Sequence, residues 1–146
     1  MSSILVINGV NLNQLGIRDQ AHYGQIKLED INSLLKNEFP EVSFSFFQSN
    51  SEFEIVNKIQ NAANFDGIVI NPGAFTHTSV AIRDALESFK KPKLEVHLSN
   101  LSSRENFRNT MITTSKTDGY ISGLKEIGYL AAIYSLLKMI TQKNIN

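Results

Sequence analysis

Short apolar runs alternate along the chain with stretches whose apolar residues recur at three- and four-residue spacing. The runs are Ile4 to Val6, Val42 to Phe47, Gly67 to Ile70, Lys93 to Leu98 and a weaker one over Gly119 to Ser122. Runs this short, closed by turn formers such as Asn8-Gly9 and Asn71-Pro72-Gly73, predict strands. Between them Leu28, Ile31 and Leu35 share one helical face, as do Ile55, Ile59 and Ala62, and then Ile82, Leu86 and Phe89. A last face collects Ile127, Leu130, Ala131, Tyr134 and Leu137. Ser51 with Glu54 and Ser102 with Glu105 read as capping boxes, and Thr78 or Ser79 as the N-cap ahead of Ile82. Strand then helix, repeated about five times, predicts an α/β fold with a parallel sheet and helices on both faces. In such sheets ligands sit beyond the carboxyl ends of the strands.

The chain has 146 residues, which suits one catalytic domain over residues 1–146. Fourteen basic residues balance fourteen acidic ones. That balance gives no footprint for nucleic acid or for an anionic membrane. No apolar stretch approaches the ~20 residues of a membrane span. Met1 to Gly9 lacks a basic start and a cleavage site, so it reads as a first strand and not a signal peptide. Cysteine is absent, which removes thiol catalysis, disulfides and thiolate metal sites and fits a cytoplasmic location. Paired-histidine zinc spacing, a Gly-x-Gly-x-x-Gly fingerprint and a Gly-Lys-Ser/Thr loop are all missing, so no metal and no cofactor is expected.

The strand ends carry the polar chemistry. A long linker after the first strand holds Asn11, Arg18 and Tyr23; connections of this kind usually take 2–6 residues, and a longer one often binds or covers a ligand. After the third strand come Asn71 and His77. On the fourth, Glu95 and His97 alternate with Leu94, Val96 and Leu98, so they share one face and the carboxylate can orient the imidazole. The Leu98 and Ser99 amides precede a helix start, a natural site for an anion. Arg104 and Arg108 are one helical turn apart and can face the same pocket. All three histidines of the chain lie at or near these ends. The set suits a small anion with several hydroxyls.

These residues resemble one family over essentially the whole chain. The runs Asn8-Gly9, Asn11-Leu12, Leu15-Gly16, Arg18, Tyr23-Gly24, Gln48-Ser49-Asn50, the block Asn71 to Ala85, and Glu95 to Asn100 are similar to the type II 3-dehydroquinate dehydratases; Arg104-Glu105, Phe107-Arg108 and Gly128-Tyr129 continue the match. The resemblance implies a flavodoxin-like fold of five parallel strands in the order 2-1-3-4-5. It implies a homododecamer built as four trimers. It implies conversion of 3-dehydroquinate to 3-dehydroshikimate by stepwise anti elimination through an enolate, in the shikimate or quinate pathway. Tyr23 resembles the family's base, and Arg18 the cation that favours its tyrosinate. Asn11 resembles the residue that helps hold the enolate through a water. His97 resembles the general acid and Glu95 its orienting partner. Asn71 with the Leu98 and Ser99 amides resembles the carboxylate site, and His77 and Arg108 the contacts to ring hydroxyls. Asp84 resembles a residue that reaches a neighbouring subunit's site.

Several positions depart from the family pattern: Val10 for proline, Asp19-Gln20 for Glu-Pro, Phe53 for glycine, Gln60 for histidine, Asn109 and Met111 for His and Ser, and Lys125 for a glycine near Gly128. None is assigned to chemistry. Two other functions fit the same fold: a non-catalytic binder of small anions, and a flavin or nucleotide carrier of flavodoxin type. Retention of Tyr23, Arg18 and His97 argues against the first.

Overall fold

The computed structural model describes residues 1–17 and 19–145. Arg18 therefore lies outside the described residues. Five strands, β1 (Ser3–Asn8), β2 (Ser43–Gln48), β3 (Gly67–Asn71), β4 (Lys93–His97) and β5 (Tyr120–Ser122), form one sheet in the order β2-β1-β3-β4-β5. Every pairing is parallel. The expected flavodoxin-like order is the one observed. The helices are α1 (Gln20–Tyr23), α2 (Leu28–Glu38), α3 (Glu52–Gln60), α4 (Val80–Ser88) and α5 (Ile127–Ile145).

Burial on both faces explains why the central strands read as unbroken apolar runs. Ile4 and Val6 of β1, with Val69, Leu94 and Val96, pack against Ile31 and Leu35 of α2 and against α5. Leu5 and Ile7, with Ile68 and Ile70, pack on the opposite side against Ile55 and Ile59 of α3 and Ile82 and Leu86 of α4. Each such side chain taken fully from water contributes about 1.5–3 kcal/mol.

The inward face of α5 differs from the expected one. Tyr129, Ala132, Ile133, Leu136 and Ile140 are buried, whereas Ile127 and Tyr134 are exposed. The helix is apolar on nearly every side, so spacing alone selects no face. A hydrogen-bond chain helps to select it: the Tyr129 hydroxyl donates to Asn8 Oδ1 (2.5 Å) and accepts from Asn71 Nδ2 (3.0 Å). Burial pushes this phenol well above its ordinary pKa, so it stays protonated and the bridge between the ends of β1 and β3 persists. Leaving either partner unpaired there would cost about 1–3 kcal/mol.

The capping predictions hold in part. Ser51 caps α3 by accepting from Glu54 N (3.3 Å), but the Glu54 carboxylate takes the Ser49 hydroxyl instead of closing the box. Ser79 caps α4, accepting from Ile82 N (3.0 Å). The Ser102–Glu105 box does not form. Residues 101–116 make three short 3-10 turns, and Asn100 caps the first through Ser102 N (3.2 Å).

Candidate active site

Parallel register sets five polar residues along one edge of the sheet: Gln48, Asn8, Asn71, His97 and Ser122 end their strands together. Above this edge the first, third and fourth connections meet around a cleft. Its walls include Asn11, Leu12, Leu15 and Tyr23 from the first, Asn71, Gly73, Ala74 and His77 from the third, and His97, Leu98, Ser99, Leu101, Arg104 and Arg108 from the fourth. Eight of the expected site residues thus line one cavity.

The first and third connections pack backbone to backbone. A Cβ on Gly9 would stand 2.3 Å from the Pro72 carbonyl oxygen. Gly73, at φ 63°, would place its own 2.6 Å from the Val10 carbonyl oxygen. Only glycine allows this approach in that conformation. Gln48 and Asn50 tie down the start of the first connection. Gln48 Nε2 lies 3.2 Å from both the Gly9 carbonyl and Asn50 Oδ1, and Asn50 Oδ1 accepts from Asn11 N (2.9 Å). Asn11 has a left-handed backbone (φ 68°), which asparagine tolerates better than most residues.

Strand alternation puts Glu95 and His97 on one face, as expected. His97 Nε2 lies 2.6 Å from Glu95 Oε2. A carboxylate accepts, so the imidazole donates from Nε2 and keeps Nδ1 for the cleft. Glu95 is fully buried beneath His97 and does not itself line the cavity. Thr76 donates its hydroxyl to Glu95 Oε2 (2.7 Å), and Thr113 Oγ1 lies 2.6 Å from Glu95 Oε1 and 2.8 Å from Thr76 Oγ1. Both carboxylate oxygens therefore have donors, which is what a buried carboxyl group requires.

His77 donates from Nδ1 to the Thr110 carbonyl (2.7 Å). Burial, above all, holds its imidazole below the usual histidine range, opposed by that hydrogen bond and aided by the Arg108 charge. The neutral ring presents Nε2 as an acceptor, buried and without a partner among the described residues. A ligand hydroxyl is the group it would take.

Arg104 is the residue that sequence reasoning undervalued. Its Nη1 donates to the Tyr23 hydroxyl (2.8 Å) and lies 3.3 Å from Ser99 Oγ. Its guanidinium carbon stands 5.3 Å from the centre of the Tyr23 ring. Its signals were the spacing to Arg108 and the family match at Arg104-Glu105; instead of sharing one helix, Arg104 closes the first 3-10 turn and Arg108 lies on the second. Arg108 lines the cleft while its Nε donates to Glu105 Oε2 (2.5 Å). Thr113 carried no sequence signal at all. Asp84 does not enter this cleft; it is exposed on α4 and accepts from its neighbour Arg83 (2.7 Å). Among the described residues, no group of three or more His, Cys, Asp or Glu could hold a metal ion, and no helix is long and apolar enough to cross a membrane.

Comparison with known proteins shows the family and the fold. Residues 2–137 match the family model described as dehydroquinase class II. A 3-dehydroquinate dehydratase of Thermotoga petrophila is 48% identical over 141 residues, covering 95% of this chain and 97% of its own. One from Fusobacterium nucleatum is 45% identical, covering 92% and 96%. The crystal structure of a type II dehydroquinase from Butyrivibrio crossotus superposes with a TM-score of 0.90 at 45% identity, over 92% of this chain and 97% of that one.

Proposed function

The chain belongs to the class II dehydroquinase family and is thereby a hydro-lyase of the 3-dehydroquinate dehydratase type; we propose that its cleft works by stepwise anti elimination, with Tyr23 as base and His97 as general acid. The observation that supports this most is the pairing inside one cavity. A phenol hydroxyl is held by a guanidinium, and an imidazole is held by a buried carboxylate.

A phenol in water titrates near ~10, so a phenolate base needs a cation beside it. Arg104 supplies one directly, donating to the Tyr23 hydroxyl. Arg18 is assigned the same task by family resemblance alone. Tyr23 takes a proton from the carbon beside the ketone, giving an enolate that Asn11 helps to hold through a water. His97, carrying a proton on each ring nitrogen, then gives the one on Nδ1 to the departing hydroxyl, and the proton taken by Tyr23 returns to it through solvent before the next turnover. The C–O bond breaks, water leaves and the conjugated enone of 3-dehydroshikimate forms. Glu95 orients His97 and offsets its charge. Asn71 with the Leu98 and Ser99 amides holds the carboxylate of the substrate, while His77 and Arg108 take ring hydroxyls. No residue is required to form a covalent imine, and no step requires a metal or cofactor.

Mixing the purified protein with 3-dehydroquinate should raise the ultraviolet absorbance of a conjugated enone. EDTA or prior treatment with borohydride should leave the rate unchanged. A folded preparation that gives no such rise overturns the assignment.

The same proposal takes residues 1–146 as one catalytic domain in the cytoplasm and the assembly as a homododecamer of four trimers. Asp84, exposed and outside its own chain's cleft, is then the residue offered to a neighbour's site. Light scattering should return twelve times the 16.3 kDa of one chain; a monomer or dimer mass would rule the assembly out.

A further inference from the structure

We propose that Lys125 is a positioning residue for Tyr23, fixing the short helix α1 to the wall of the cleft through two backbone carbonyls. The proposal rests on Tyr23 being the base. Lys125 sits at φ 54°, a region that residues with side chains enter reluctantly. Its backbone is committed there: Lys125 N donates to the Leu98 carbonyl (3.0 Å) and Gly128 N donates to the Lys125 carbonyl (3.1 Å). The first tie anchors it beside Leu98, in the cleft wall, and the second joins it to the first turn of α5.

From that fixed point the side chain crosses to the other end of the chain. Lys125 Nζ donates to the Ala21 carbonyl (2.9 Å) and to the His22 carbonyl (2.5 Å). These are among the last carbonyls of α1, which find no donors within the helix and favour a cation. A helix of four residues cannot sustain itself. Its turn bonds among the described residues run from His22 N and Tyr23 N to Asp19 O (3.2 and 3.1 Å) and from Gly24 N to Gln20 O (2.9 Å), and none of them uses the Ala21 or His22 carbonyl. Its placement must therefore come from contacts outside it. Arg104 meets the Tyr23 hydroxyl at one side, and Lys125 grips the backbone immediately before Tyr23 at the other. The left-handed strain at residue 125 is retained because the side chain launched from it has this use.

Without the ammonium group, α1 occupies the competent orientation only part of the time, and apparent affinity falls by that fraction. Bound substrate restores the placement, so the saturated rate is preserved. Lys125→Gly removes the charge and the backbone strain together; Lys125→Met keeps the strain and the stem; Lys125→Arg restores a cationic donor. In the Gly and Met variants KM should rise about tenfold with kcat within about twofold of wild type, and in the Arg variant KM should stay within about threefold. Amide hydrogen exchange at residues 22–24 should quicken in the Gly and Met variants while the sheet is unchanged. Since glycine relieves the strain, Lys125→Gly should melt no lower than wild type. A folded Lys125→Gly with wild-type KM and wild-type exchange overturns the proposal, as does a fall in kcat at constant KM. If Lys125→Gly fails to fold, the Met and Arg pair decides by the same readings. Loss of the enone signal in wild type would instead sink the assignment of Tyr23, and the exchange data would still test the clamp.

Discussion

Tyr23→Phe should lower kcat by about a thousandfold or more while KM stays within about threefold, the scale on which a positioned base acts. The substitution removes one oxygen and leaves the ring, so packing against the cleft and the stacking with Arg104 survive. What disappears is the atom that receives the substrate's proton. Arg104 loses an acceptor in a largely buried position and keeps Ser99 Oγ at 3.3 Å. Steady-state kinetics on the enone signal measures the effect. A variant with most of its rate intact would mean that the base lies elsewhere.

His97→Gln should also lose about 10²–10⁴-fold in turnover, but at a different step. The base remains, so proton removal from the carbon beside the ketone continues and the enolate can only return. In heavy water the His97→Gln protein should therefore exchange deuterium into unreacted 3-dehydroquinate faster than it forms product. Tyr23→Phe should do neither. Equal loss of exchange and product formation in both variants would contradict a stepwise route with separate base and acid. Glu95 and its two threonine donors hold the imidazole from a fully buried position, so the amide that replaces the imidazole can still donate to that carboxylate below the cleft.

Much of this was legible in the order of residues. Ile4 to Val6 and Gly67 to Ile70 announced buried parallel strands because both faces of the sheet are covered. Glu95 and His97 announced their pairing because strand alternation is strict. Two kinds of feature were hidden. The first arises where a local pattern fits several answers. On α5 apolar residues surround the axis, and Tyr129 turns inward because Asn8 and Asn71 claim its hydroxyl. Ser102 and Glu105 fit a capping box, but the segment folds into separate 3-10 turns. The second kind depends on distance along the chain. Arg104 reaches Tyr23 across 81 positions, and Thr113 reaches Glu95 across 18. No spacing rule describes such encounters, because sheet topology creates them.

Lys125 bridges 104 positions to reach Ala21, farther still than Arg104 reaches to the phenol. During synthesis the ribosome therefore delivers the phenol early and its two restraining cations late. Until Lys125 has followed β5 out, the nascent chain can hold nearly all of its strands while the backbone before the phenol lacks its tie to the cleft wall. The segment that carries the phenol is thus laid down among the first and fastened among the last.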